Sequence, residues 1–166
     1  MTTTKRLSLA MCFASAGALW MAHTGSAQSA DPWVGAWTLN LSKSTVSPGP
    51  PNRRNALKIE TVAGGAQKHT FDGLDAQGQP FHSERVAKFD GADVMVQAIA
   101  PATKVVRTNA FRRLGSHSFE VVAKVDGNVV STSQIVVSSD GKTLIETTTG
   151  VNRQGQAVKS VSIYEK

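Results

Sequence analysis

The 166-residue sequence predicts an all-β protein: an antiparallel up-and-down meander closing into one β-barrel of about ten strands, with no helical lid. Three observations predict it. Short runs rich in Val, Ile, Thr and Phe recur from Ala56 to the end. Glycine turns cut them at near-regular spacing, among them Asp90-Gly91, Asp126-Gly127 and Asp140-Gly141. No segment after Ala27 carries a helical period. Asp-Gly pairs tolerate the positive φ that tight hairpins demand, and regular strands with turn signals indicate a sandwich or a barrel. Short connections join neighbours, and closure removes exposed edges, which favours the barrel over the two-sheet sandwich.

The first strand lies within 31–41, where Trp33, Trp37, Leu39 and Leu41 alternate with smaller or polar residues. Residues 42–55 follow as an extended loop. Pro48, Pro50 and Pro51 remove backbone donors there, so neither helix nor inner strand suits the segment. The later strands are expected near 56–62, 67–72, 79–89, 93–99, 103–113, 117–125, 129–138, 143–150 and 157–165. Three of them carry apolar residues on both faces: Val121 and Val122, Val136 and Val137, Leu144 and Ile145. That pattern asks for cover over part of the barrel's outside, a role the proline loop is placed to fill.

Residues 1–27 read as a secretory signal peptide. Lys5 and Arg6 form the basic start, Leu7 to Met21 the apolar run, and Gly25 and Ala27 the small residues before a cut. The run is shorter than the roughly 20 residues of a membrane span. Cys12, the only cysteine, lies inside this segment, with Met11 before it where a lipoprotein signal needs a small residue. Cleavage leaves residues 28–166 as one domain and lowers the formal charge from +6 to +4. The expected location is therefore exported, periplasmic or extracellular, and the fold must stand on its core without disulfides.

Gly35-Ala36-Trp37-Thr38-Leu39 and the closing Val161-Ser162-Ile163-Tyr164-Glu165-Lys166 resemble the first and last strands of calycins, especially the intracellular fatty-acid-binding proteins. Most of the mature chain is similar to a bacterial group of exported lipocalin-like proteins of unknown function. The shared features are Trp37-Thr38-Leu39-Asn40, Lys43-Ser44, Pro48-Gly49-Pro50, and Asp140-Gly141-Lys142 ahead of Thr147 to Thr149. The resemblance implies a barrel able to hold a small molecule. There are departures. The proline loop stands where fatty-acid-binding proteins place a helix pair. Ser162 and Tyr164 stand where their Arg-x-Tyr grips a carboxylate. Leu39 and Leu41 occupy the glycine positions of haem-binding relatives.

Candidate ligand-binding residues follow from alternation. Phe81, Ser83, Arg85, Ala87 and Phe89 share one strand face, so a Phe81/Phe89 face turned inward carries Arg85 with it. A buried guanidinium needs a ligand carboxylate or an internal acid. Arg107 repeats the arrangement beside Phe111, and with Tyr164 the two arginines stand in for the missing arginine of the last strand. The alternative is that both snorkel to solvent at a barrel mouth.

Other constellations are thin. His82 and Glu84 share a face that reads as solvent-exposed, and His69 and His117 lie elsewhere, so no metal set of three or four ligands converges. No nucleophile with a partner base stands out, and no catalytic residue or cofactor is assigned. Arg53-Arg54 and Arg112-Arg113 lack the aromatic interleaving of a nucleic-acid platform. The leading expectation is an exported binding protein holding a small apolar or amphipathic molecule, with Arg85, Arg107 and Tyr164 orienting its polar head and Phe81 and Phe111 as further ligand-binding residues. The alternatives are an envelope interaction module with a filled core, and an enzyme using the barrel mouth.

Overall fold

The walls are built as the alternation predicts. The computed structural model describes residues 31–100, 104–152 and 155–166; the expected leader, 1–27, lies outside the described residues. Twelve strands belong to one antiparallel sheet: β1 Gly35–Leu39, β2 Thr45–Ser47, β3 Arg54–Thr61, β4 Gln67–Leu74, β5 Pro80–Ala87, β6 Asp90–Met95, β7 Gln97–Ala100, β8 Arg107–Gly115, β9 Ser118–Val125, β10 Asn128–Val137, β11 Thr143–Val151 and β12 Ala157–Glu165. Their order, β6-β8-β9-β10-β11-β12-β1-β3-β4-β5-β7, is a meander whose last strand returns to its first.

Twelve segments make ten staves. β1 and β2 follow one another along the same edge of β12: Leu39 pairs with Tyr164, and Val46 with Ser160. A 3-10 turn at Leu41–Lys43 separates them. Asn40 caps it by accepting from the Lys43 amide (3.2 Å) while donating to Glu165 (2.9 Å). The strand expected near 93–99 is likewise one stave bent at Val96. Its first half, β6, pairs with β8, and its second half, β7, pairs with β5. The barrel is therefore nearly closed, with a slit where β5 and β6 part.

The segment 42–55 departs from the expectation of a plain loop, because Thr45–Ser47 forms β2. The five residues of β1 leave the Lys159–Val161 edge of β12 unpaired, and a short β-branched segment ahead of the prolines can satisfy it. Leu41 leaves the strand pattern at the 3-10 turn and is 42% exposed. The outside cover anticipated for the two-faced strands is not supplied by this loop. Val136 and Ile145 pair across β10 and β11 and remain exposed. They form one small outward apolar pair on a wall whose inner face is packed.

The lower half of the barrel is filled. Trp33 precedes β1 and folds beneath it in a turn. The Trp37 indole donates to the Trp33 carbonyl (2.9 Å), and the Trp33 indole to the Ser116 carbonyl (3.3 Å). Lys166 donates to the Pro32 carbonyl (2.8 Å) with its ammonium 4.3 Å from the Trp37 ring centre, tying the C-terminus over the plug. Above it Phe89, Phe111 and Phe119 meet with ring centres 5.3–6.1 Å apart. Each such buried ring stabilises the fold by roughly 2–3 kcal/mol. Phe89 reaches this cluster with a φ of 60°, unusual for a non-glycine residue, at the corner that separates β5 from β6.

Candidate functional site

The upper half of the barrel is not filled. It holds a cavity of about 660 Å³ that opens at the barrel mouth. Valine and alanine side chains (Val96, Ala98, Val121, Ala123 and Val125) share the lining with the small polar residues Ser83, Asn109, Ser131, Ser133 and Thr148. The transition from filled to empty follows the side chains projecting inward. Below stand tryptophan, phenylalanine, isoleucine and leucine; above stand serine, threonine, alanine and valine, which leave the axis open. Ser133 and Thr148 satisfy each other across β10 and β11 (2.7 Å).

Arg85 and Glu146 form part of the lining at the level where the packed core ends. Arg85 is opposite His69 on β4, and its guanidinium lies 4.3 Å from the Phe71 ring centre and 5.8 Å from that of Phe111. With its amide oxygen toward Arg85, Asn109 accepts from Nη1 at 3.3 Å and donates to the Thr108 carbonyl at 2.8 Å. Arg85 Nε is buried without a hydrogen-bond partner among the described residues. Burial pulls the guanidinium pKa down from its usual value, opposed by the nearby charge of Glu146 and by Tyr164. Arg85 also borders two smaller spaces: one of about 20 Å³ among Leu57, Ile59 and Leu144, and one of about 260 Å³ in the slit between β5 and β6.

Tyr164 is buried in the same interior. Its hydroxyl accepts from Asn55 Nδ2 (2.8 Å). Burial first, and then the Glu146 charge, push its pKa up, so it remains a neutral phenol. Asn55 Oδ1 is a second buried polar atom with no partner among the described residues. Unpaired buried polar atoms are rare in folded proteins, and each of these two is open to a hydrogen-bond partner.

The five residues singled out from the sequence fall in different places. Arg85 and Tyr164 come together in the interior. Phe111 is 1% exposed and sits in the packed cluster beside Arg85. Arg107, at the start of β8, is exposed at the cavity rim. Phe81 is half-buried with its ring over Gly73, its partner on β4. The two arginines with similar sequence surroundings thus divide, one inside and one at the mouth. The reason is depth along the stave: Arg85 sits mid-strand in β5, whereas Arg107 begins β8.

Two further interior residues, Glu146 and His69, are not among those five. Glu146 shares the inward face of β11 with Leu144 and Thr148, and a lone charge on that face was the available signal. His69 is 2% exposed, with Nε2 3.3 Å from Gln67 Oε1; Gln67 donates in turn to Asp31 (2.8 Å). Burial, with the charges of Arg85 and Arg113, lowers the His69 pKa to about 3. His82 and Glu84 lie in a surface network: His82 Nδ1 is 2.6 Å from Asp72, and Glu84 is 2.8 Å from Lys68. No group of three potential metal-ligating side chains gathers among the described residues.

The geometry defines a nearly closed antiparallel β-barrel with an internal cavity and a charged floor. No family model and no curated protein matches the chain. Among the described residues no helix is long and apolar enough to cross a membrane.

Proposed function

We propose that this protein is an exported carrier that holds a small apolar or amphipathic molecule in the upper half of its barrel. The cavity of about 660 Å³ carries the reading. Small-molecule sites are concave, mostly apolar and supplied with a few fixed polar groups, and they occupy roughly 300–1,000 Å³. Valine and alanine walls supply affinity for an apolar body, and Arg85 with its neighbours supplies a polar floor. Export rests on the sequence of residues 1–27. The distant resemblance to lipocalin-like proteins agrees with the carrier reading but brings no activity with it.

Native mass spectrometry of protein purified from its host's envelope tests the proposal, together with thermal shifts across fatty acids, sterols and haem. A co-purifying small molecule, or stabilisation by one class, is the expected result. A cavity-filling Ala123→Trp variant should stay folded and lose that stabilisation. Absence of both signals in the wild type sinks the carrier.

An interaction module working through its outer surface is the second reading, favoured by the exposed Val136–Ile145 pair. It expects a filled interior, which the upper half of the barrel does not have.

A further inference from the structure

The floor of the cavity constrains the polar end of its occupant. Resting on the carrier reading, we propose that the buried end of the ligand is net neutral and both accepts and donates hydrogen bonds, as a primary amide or an amino-carboxylate zwitterion does. A simple carboxylate anion is the wrong head for this floor.

The argument begins with two opposite charges that do not touch. Arg85 on β5 and Glu146 on β11 both line the cavity, yet no ion pair within 4.0 Å joins them. β5 and β11 lie five staves apart around a ring of ten, so the two residues approach from opposite walls. Arg85 spends one N–H on Asn109 and has an unpaired, buried Nε. Glu146 accepts no hydrogen bond from a side chain among the described residues. The floor therefore offers donors on one side and an acceptor on the other.

A ligand carboxylate would satisfy the guanidinium but would bring a second anion beside Glu146. Like charges in a site walled by valine and alanine repel far more strongly than in water. An ammonium head has the mirror problem at Arg85. A head with a carbonyl toward Arg85 and an N–H toward Glu146 satisfies both walls and adds no net charge. The Tyr164 hydroxyl, already accepting from Asn55, brings no charge that would alter this balance. The other charged lining residues do not compensate. Lys124 is paired with Asp93 at 2.9 Å, Asp126 accepts from the Val106 amide at 3.1 Å, and Arg107 is exposed at the rim.

Four ligands sharing one tail test the proposal: dodecanamide, 2-aminododecanoate, dodecanoate and dodecylamine. Each displaces the neutral probe N-phenyl-1-naphthylamine from the full mature chain. The amide or the zwitterion should bind about tenfold or more tighter than dodecanoate and dodecylamine. Glu146→Gln should raise dodecanoate affinity by about tenfold, and Arg85→Met should do the same for dodecylamine. Thermal melts establish that both variants fold, and the two opposite shifts are something general destabilisation cannot produce. Tightest binding by dodecanoate, unchanged in Glu146→Gln, overturns the inference and leaves the carrier standing. So does equal binding of all four. Failure of the probe and all four to bind removes the carrier reading and this inference with it.

Discussion

His69 and Arg85 stand directly opposite one another on neighbouring strands, both turned into the barrel. An imidazole so placed is surrounded by Phe111 and Phe119 and faces a permanent cation. It stays neutral, because burial first and then the charges of Arg85 and Arg113 oppose its protonation.

A dependence of stability on pH follows. The folded pKa of His69 is about 3, and the unfolded histidine titrates near 6.5. Between these values the unfolded chain binds the extra proton, so stability rises with pH. The contribution is complete above pH ~6.5 and is lost progressively toward pH ~3, on the order of 5 kcal/mol in total. Urea unfolding at pH 7, 6 and 5 should show a loss approaching ~1.4 kcal/mol per pH unit at the acid end. His69→Gln should flatten that slope. A wild-type stability that is level from pH 7 to 5 contradicts the assignment.

The tryptophan plug should behave as a stability element. Trp37→Ala removes a side chain that is 1% exposed and should cost about 3–5 kcal/mol. Trp37→Phe keeps most of the volume but leaves the Trp33 carbonyl without its indole donor, a loss of about 1 kcal/mol beyond the volume change. Denaturant midpoints measure both, and a Trp37→Phe variant as stable as the wild type would count against the hydrogen bond.

Gly150 is a position where a methyl group does not fit. A Cβ there would stand 2.7 Å from both Cα and Cβ of Ser131, and nearer still to the Val130 carbonyl oxygen, beside the bulge between Val129 and Ser131. Gly150→Ala should destabilise by about 1–3 kcal/mol. Because Val130, Ser131 and Val151 line the cavity, bound probe should also redistribute or leave. A neutral substitution would show that the bulge yields freely.

The two arginines should separate experimentally. Arg107→Ala at the exposed rim should change probe affinity by less than about threefold. Arg85→Met removes a buried cation with an orphaned Nε while conserving much of its volume, and should stabilise the ligand-free protein by about 1–3 kcal/mol. Loss of stability in Arg85→Met would mean that Glu146 and Asn109 already compensate the charge.

Much of the wall was legible in the sequence. Strand positions and the Asp126-Gly127 turn with φ of 48° and 79° rest on local signals, β-branched alternation and residues that accept positive φ, and the return of the last strand to the first follows from the removal of exposed edges. The bend at Val96 and the strand inside the proline segment were not legible. They arise because the neighbouring strands leave hydrogen-bonding groups to satisfy, a demand that exists only after the neighbours are in place.

The interior divides in the same way. Alternation alone placed Arg85 with Phe81 and Phe89 on one face, and by itself the sequence determined regularly spaced antiparallel strands and favoured their closure into a barrel. Only the tertiary structure decided how deep each residue lies, which half of the barrel is filled, and that Glu146 comes from the far wall to stand near Arg85 without touching it. Strand periodicity is local and reports a face. Depth and cross-barrel distance are set by how ten staves close around a tryptophan plug, so no single stretch of sequence contains them.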